Sequence, residues 1–84
     1  MEVEFDPAKD AANIVEHRLS LARASDFNIQ SVEPDYRFHE ERRLIAFGLL
    51  DGLPHSLAFT MRGNIIHAIS LRRAHLREYR RHVR

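Results

Sequence analysis

Arg43-Leu44-Ile45-Ala46-Phe47-Gly48-Leu49-Leu50-Asp51-Gly52 is the stretch that decides the fold. An apolar run of this length closed by an Asp-Gly pair reads as a strand entering a tight hairpin. Both central positions of such a turn need positive φ, which Asp and Gly tolerate. The return strand is expected from about His55 to Met61. There Leu57, Phe59 and Met61 alternate with Ser56, Ala58 and Thr60, so one face is core and the other small or polar. Gly63-Asn64 makes a second tight turn, and Ile65 to Leu71 forms a further strand. From Arg72 or Arg73 the pattern turns helical to the end.

Working outward, Val3-Glu4-Phe5 alternates apolar and polar and reads as a short strand. Asp6-Pro7 then opens a helix, with Asp6 as N-cap and Pro7 preset at the first helical position. Ala8, Ala11, Ala12 and Val15 fall at helical spacing, with Ile14 widening the stripe. Ser20 can cap a second short helix through Ala24 or Phe27. From Asn28 to Glu41 a weak alternation of Ile29, Val32, Tyr36 and Phe38, broken by Pro34, reads as an edge strand and a charged turn. The order is that of an α+β domain: an N-terminal strand and two helices, an antiparallel four-stranded meander carrying helices on one face, and a C-terminal basic helix.

The 84 residues allow a single domain spanning 1–84, and 44% hydrophobic content with three Gly and three Pro is the balance of a folded chain. The absence of cysteine excludes a disulfide staple, a thiolate zinc site and a thiol nucleophile. The apolar run from Leu44 to Leu50 falls far short of the roughly 20 residues of a membrane span, and the acidic start Met1-Glu2-Val3-Glu4 is no secretory n-region. A soluble, cytoplasmic protein without membrane contact is expected. The net charge of +1 hides a polarity, for residues 1–41 carry ten acids against four bases and residues 42–84 nine arginines against Asp51 and Glu78. Guanidinium forks suit bidentate recognition of phosphate or carboxylate. No Walker loop, GxGxxG or GxSxG occurs, which excludes nucleotide-dependent enzymes of those types.

Phe5-Asp6-Pro7-Ala8-Lys9 followed by Asn13 and His17, then Leu44-Ile45-Ala46-Phe47-Gly48, Phe59-Thr60, and Ile69-Ser70-Leu71-Arg72-Arg73-Ala74 followed by Glu78, resemble the BrnT toxins of bacterial toxin–antitoxin pairs. The resemblance covers nearly the whole chain. It implies a fold similar to RelE-type ribonucleases and RNA cleavage that inhibits translation and arrests growth. It also implies neutralisation by a BrnA-type antitoxin with a DNA-binding domain, in a hetero-oligomer of two toxins with an antitoxin dimer. The chain departs from the family pattern at Glu16-His17-Arg18-Leu19, where Lys-His-Gly-Val is usual, and at Ile66-His67-Ala68-Ile69-Ser70, where Ile-Arg-x-Ile-Ser is common.

Metal-independent RNA cleavage needs a base for the 2′-hydroxyl, cations for the phosphorane and an acid for the leaving oxygen. Arg72, His67, Arg62 and Lys9 are the candidate catalytic residues. Arg72 falls in the apolar seam of the last helix or at the strand–helix junction, held either for catalysis or by an ion pair such as one with Glu78. His67 on the last strand and Arg62 across the Gly63-Asn64 turn meet at one sheet end. Lys9 and His17 are eight residues apart on one helix, roughly 12 Å by rise, too far to share a phosphate. Within the last helix, Leu76, Tyr79 and Val83 fall within about 60° and form the expected packing seam. Arg73, Arg77, Arg80, Arg81 and Arg84 form a basic arc beside it, read either as an RNA-binding surface or as a solvated face. His75 and His82 stand about 10.5 Å apart by rise, too far for one zinc, so no metal and no cofactor is expected. A non-catalytic basic module that docks an antitoxin or nucleic acid is the alternative.

Overall fold

The computed structural model describes residues 2–37 and 42–84. Phe38, Glu40 and Glu41, read above as strand and charged turn, lie outside the described residues. Strand β1 (Val3–Phe5) leads into helix α1 (Pro7–His17), where the Asp6 carboxylate accepts from the Ala8 N–H and Pro7 begins the helix. Ser20 caps a 3-10 segment, Leu21–Asp26, in the same way. Strands β2 (Asn28–Pro34), β3 (Leu44–Leu50), β4 (Leu53–Arg62) and β5 (Ile65–Arg73) follow, and helix α2 (Leu76–His82) closes the chain.

The sheet has five strands in the order β1-β5-β4-β3-β2. β2 to β5 form the expected antiparallel meander, and β1 joins the free edge of β5 in parallel, Glu4 opposite His67. Asp51 and Gly52 both adopt positive φ at the β3–β4 turn, as that turn requires. Gly48 is demanded by a different constraint, because a Cβ there would collide with the Asn28 carbonyl of β2. Ser70 pairs with Ala58 while Ala68 pairs with Phe59, which leaves Ile69 as an extra residue in β5.

One hydrophobic cluster joins Leu21, Ala24 and Phe27 to Ala46, Leu57, Ala68 and Leu71 on one face of the sheet. α2 lies against the other face, where Phe47 stacks on His82 at 4.2 Å between ring centroids. The helices therefore cover both faces, correcting the one-face expectation. The reason is the alternation of β3, which sends Ala46 to one side and Phe47 to the other, each needing cover. Met61 continues the core face of β4, yet it stands one pair from the hairpin tip and is half-exposed.

The last helix also begins later than expected. Arg72 and Arg73 pair with Ser56 and His55 as strand residues, so β5 runs to Arg73 and α2 starts at Leu76. Its inner side is formed by Glu78, Tyr79, His82 and Val83, while Leu76 is half-exposed. Of the expected seam, Tyr79 and Val83 face inward and Leu76 does not, and much of the ground beneath is polar: the Tyr79 hydroxyl donates to Gln30, and His82 Nδ1 lies 2.8 Å from a Glu33 oxygen. No helix of the described residues is long and apolar enough to cross a membrane.

Candidate active site

Alternation along three neighbouring strands places Phe47, Ser56 and Arg72 in one row on the face opposite the main core. Beside that row opens a cleft of about 270 Å³, with Ile45, Ala58 and Ile69 as its apolar walls. Its polar lining is His17, Asp35, Arg37, Arg43, Ser56, Ser70 and Arg72.

Arg72 is set by its own neighbours. Its Nη1 lies 3.0 Å from Glu78 Oε1 and 3.1 Å from the Arg73 carbonyl, and its Nη2 lies 2.9 Å from Glu78 Oε2. The Arg72 side chain is 34% exposed, so the pair is only partly shielded from water. The Arg72 guanidinium holds the Glu78 carboxyl below the usual range, burial opposing it less strongly. Glu78 occupies the end of the guanidinium. The side edge, Nε–H with the second Nη2 hydrogen, has no hydrogen-bond partner among the described residues and keeps a bidentate donor pair.

Across the cleft, Asp35 forms a second fork with Arg37, at 2.9 Å from Nε and 2.8 Å from Nη2. That hydrogen bond holds the Asp35 carboxyl below its ordinary value against a smaller opposing effect of burial. The Asp35 N–H donates to the Arg43 carbonyl, which ties both arginine-bearing segments together at the cleft rim. The lining thus brings three guanidiniums together, Arg37 paired with Asp35 and Arg72 with Glu78.

His17 reaches the cleft through Asn13. The buried Asn13 amide donates to the Leu71 carbonyl and accepts from the Leu71 N–H, at 2.9 and 3.0 Å, and donates to the Leu19 carbonyl at 2.8 Å. β1 pairs only with residues 66–68 of β5, so this amide takes over the edge where β1 stops. It pins the last two turns of α1 beside Arg72, and His17 follows. Arg18 then ends the helix at φ 60°, in the left-handed region.

The structure separates the other expected site residues from this cleft. The extra residue Ile69 shifts the phase of β5 and puts His67 on the same face as Arg72, yet the two stand roughly 15 Å apart along the strand. His67 and Arg62 do meet, as expected, both approaching Glu4 Oε1, at 3.2 and 3.5 Å. Lys9 lies near the start of α1 and lines no part of the cleft. Arg77, Arg80 and Arg81 are exposed on α2, whereas Arg73 ends β5 and Arg84 follows the helix, so the arc is shorter than the wheel suggested. Sequence reasoning passed over Arg37, Arg43 and Ser56. Ser56 is within reach of the sequence, because it lies on the small, polar face of β4; Arg37 and Arg43 belong to no periodic pattern that would single them out. Among the described residues no group of three or more histidines and carboxylates converges as a metal site would.

Fold and cleft together define a small α+β domain with an arginine-lined cleft on the second face of a mixed sheet. The sequence profile of the family described as "Ribonuclease toxin, BrnT, of type II toxin-antitoxin system" matches residues 5–78. The chain belongs to this BrnT ribonuclease toxin family. Among solved structures it is similar to the ribonuclease toxin BrnT of Brucella abortus, with 28% identity, a TM-score of 0.73, and coverage of 89% of this chain and 97% of that one. No sequence among curated proteins matches it.

Proposed function

We propose that the protein cleaves RNA endonucleolytically without a metal cofactor, with Arg72 gripping the scissile phosphate and His17 exchanging the proton at the reacting oxygens. The observation that carries this reading is the Arg72 guanidinium, oriented by Glu78 and the Arg73 carbonyl, lining the cleft with a donor edge that no described residue occupies. Charge fixed in advance stabilises a phosphorane without reorganisation during the reaction. Imidazole is the side chain whose charge changes near neutrality, which suits His17 to acid–base work. Arg37 and Arg43 add positive potential at the rim. His67, Arg62 and Lys9 are assigned no contact with the scissile phosphate; Arg73, Arg77, Arg80, Arg81 and Arg84 are assigned to flanking phosphates.

In the cell this activity inhibits translation and arrests growth in the cytoplasm. A BrnA-type antitoxin with a DNA-binding domain neutralises it, an antitoxin dimer bridging two toxin copies. Incubation of the purified protein with total RNA in excess EDTA tests the chemistry. Fragmentation that survives EDTA and disappears in Arg72→Lys supports it; RNA left intact at high protein excess overturns it. Native mass spectrometry of the co-expressed pair tests the assembly, and any stoichiometry other than two and two refutes the bridge.

A further inference from the structure

Arg72 stands between two hollows. On the side away from His17, between β2, the row of Phe47 and Arg72, and helix α2, lies a pocket of about 320 Å³, in the size range of small-ligand sites. The two hollows share one wall and differ in what the other side supplies. The pocket shares Asp35, Arg37, Ile45 and Arg72 with the cleft, and adds Phe47 and Pro34 as walls, Tyr36 on the rim, and Glu33 beside His82. A carboxylate oxygen accepts hydrogen bonds from N–H groups. Glu33 Oε2 is taken by His82, while Oε1 has no hydrogen-bond partner among the described residues. Tyr36 is 78% exposed, an aromatic ring left in water at the mouth of a flat-walled pocket.

We propose that this pocket is a nucleobase subsite that takes a guanine, its ring stacked on Tyr36 and its amino group donating to Glu33 Oε1. The inference rests on the ribonuclease reading, since the base belongs to a nucleotide whose phosphate lies at Arg72. An RNA strand passing Arg72 presents a base within reach of either hollow, and this one carries the Tyr36 ring on its rim and the open Glu33 acceptor. Stacking is tolerant of sequence because every base has a π-face, so discrimination falls to the acceptor. Guanine supplies N1–H and N2–H side by side; uracil has one N–H between two carbonyls, which the Glu33 carboxylate would repel.

Nucleosides test this without the phosphate. Guanosine, inosine and uridine, and separately inorganic phosphate, are titrated into the 15N-labelled protein while the backbone amides of Tyr36, Ile45, Phe47 and His82 are followed. Guanosine is expected to move them, with inosine, which lacks the 2-amino group, about ten-fold weaker and uridine weaker still. Tyr36→Ala should weaken guanosine about ten-fold, in the range of one lost stack, and Tyr36→Phe should restore it. Glu33→Gln should erase the difference between guanosine and inosine. Because Glu33 also holds His82, the exposed Tyr36 pair keeps the test decisive if Glu33→Gln loosens α2. Equal affinity for the three nucleosides, shifts caused by phosphate alone, or no shift at these amides overturns the subsite. Cleavage of total RNA by the same preparation is read in parallel. Intact RNA with guanosine bound refutes the ribonuclease reading alone, and cleaved RNA without guanosine binding refutes the subsite alone.

Discussion

Glu78 of α2 and Arg72 of β5 form a two-pronged ion pair at 2.9 and 3.0 Å, and this one contact both orients the proposed catalytic cation and ties the last helix to the sheet. Arg72→Lys keeps the charge but loses the fork and the side edge. Cleavage should fall roughly 10²–10³-fold, the range for a lost transition-state donor. Glu78→Gln should fall less, because the amide still accepts one hydrogen bond. Both variants are compared by RNA cleavage rate, with melting curves as the folding control; full activity in a folded Arg72→Lys protein would make Arg72 structural.

The same pair predicts how α2 responds to acid. The folded protein holds the Glu78 proton less tightly than the unfolded chain, so the ion pair contributes fully above the ordinary glutamate range near 4.3 and is lost as pH falls through the lowered folded value. Asp35 with Arg37 has the same sign. Tm should therefore drop in that acidic window, and Glu78→Gln should flatten the drop. An unchanged profile in Glu78→Gln would show that other carboxylates dominate.

Asn13→Ala removes the amide that closes both backbone groups of Leu71 and the Leu19 carbonyl. Leaving buried backbone groups unpaired costs about 1–3 kcal/mol each where water cannot replace the partner. The variant should lose about 2–4 kcal/mol, and Tm should fall by more than about 10 °C. Asn13→Asp should be no better, since it buries a carboxylate and loses the donor. A Tm within two or three degrees of the wild type would show that water takes over the strand edge.

Arg18 ends α1 in the left-handed region that favours glycine. Arg18→Gly should stabilise the protein by about 0.5–1 kcal/mol, as relief of side-chain strain exceeds the added freedom of the unfolded chain. Thermal melting should show a gain of a few degrees; a loss would mean that the Arg18 side chain contributes more than its backbone costs.

Arg81 is exposed and outside the cleft. Arg81→Ala should weaken RNA binding modestly and reduce the slope of log affinity against log salt by about one phosphate contact. An unchanged slope would assign this part of α2 to solvent.

What the sequence discloses is what is decided locally. The Asp51-Gly52 turn, the Asp6-Pro7 helix start and the Ser20 cap carry their conformations in their own side chains, so the meander and both N-terminal helical segments are readable. The parallel pairing of β1 with β5 is not, because it joins residues more than sixty apart with no turn between them. His67 shows the limit of alternation: period two assigns it to the face of Leu71, and the extra residue Ile69 moves it to the face of Arg72. The cleft was half readable. Arg72 and its partner Glu78 could be named from the chain, whereas the approach of His17 depends on an Asn13 amide meeting a strand 58 positions away.

Helix α2 is seven residues long, buries no residue fully, and is docked by Glu78, Tyr79 and His82 rather than by an apolar stripe. Segments with few buried apolar contacts open at a free energy far below that of global unfolding. The group that aims Arg72 thus sits on a helix with no buried residue, while Arg72 itself belongs to a central hairpin. Warming or mild denaturant would release the aim of the guanidinium before the sheet yields, so the enzyme has an inactivation temperature of its own, lower than the melting point of its fold.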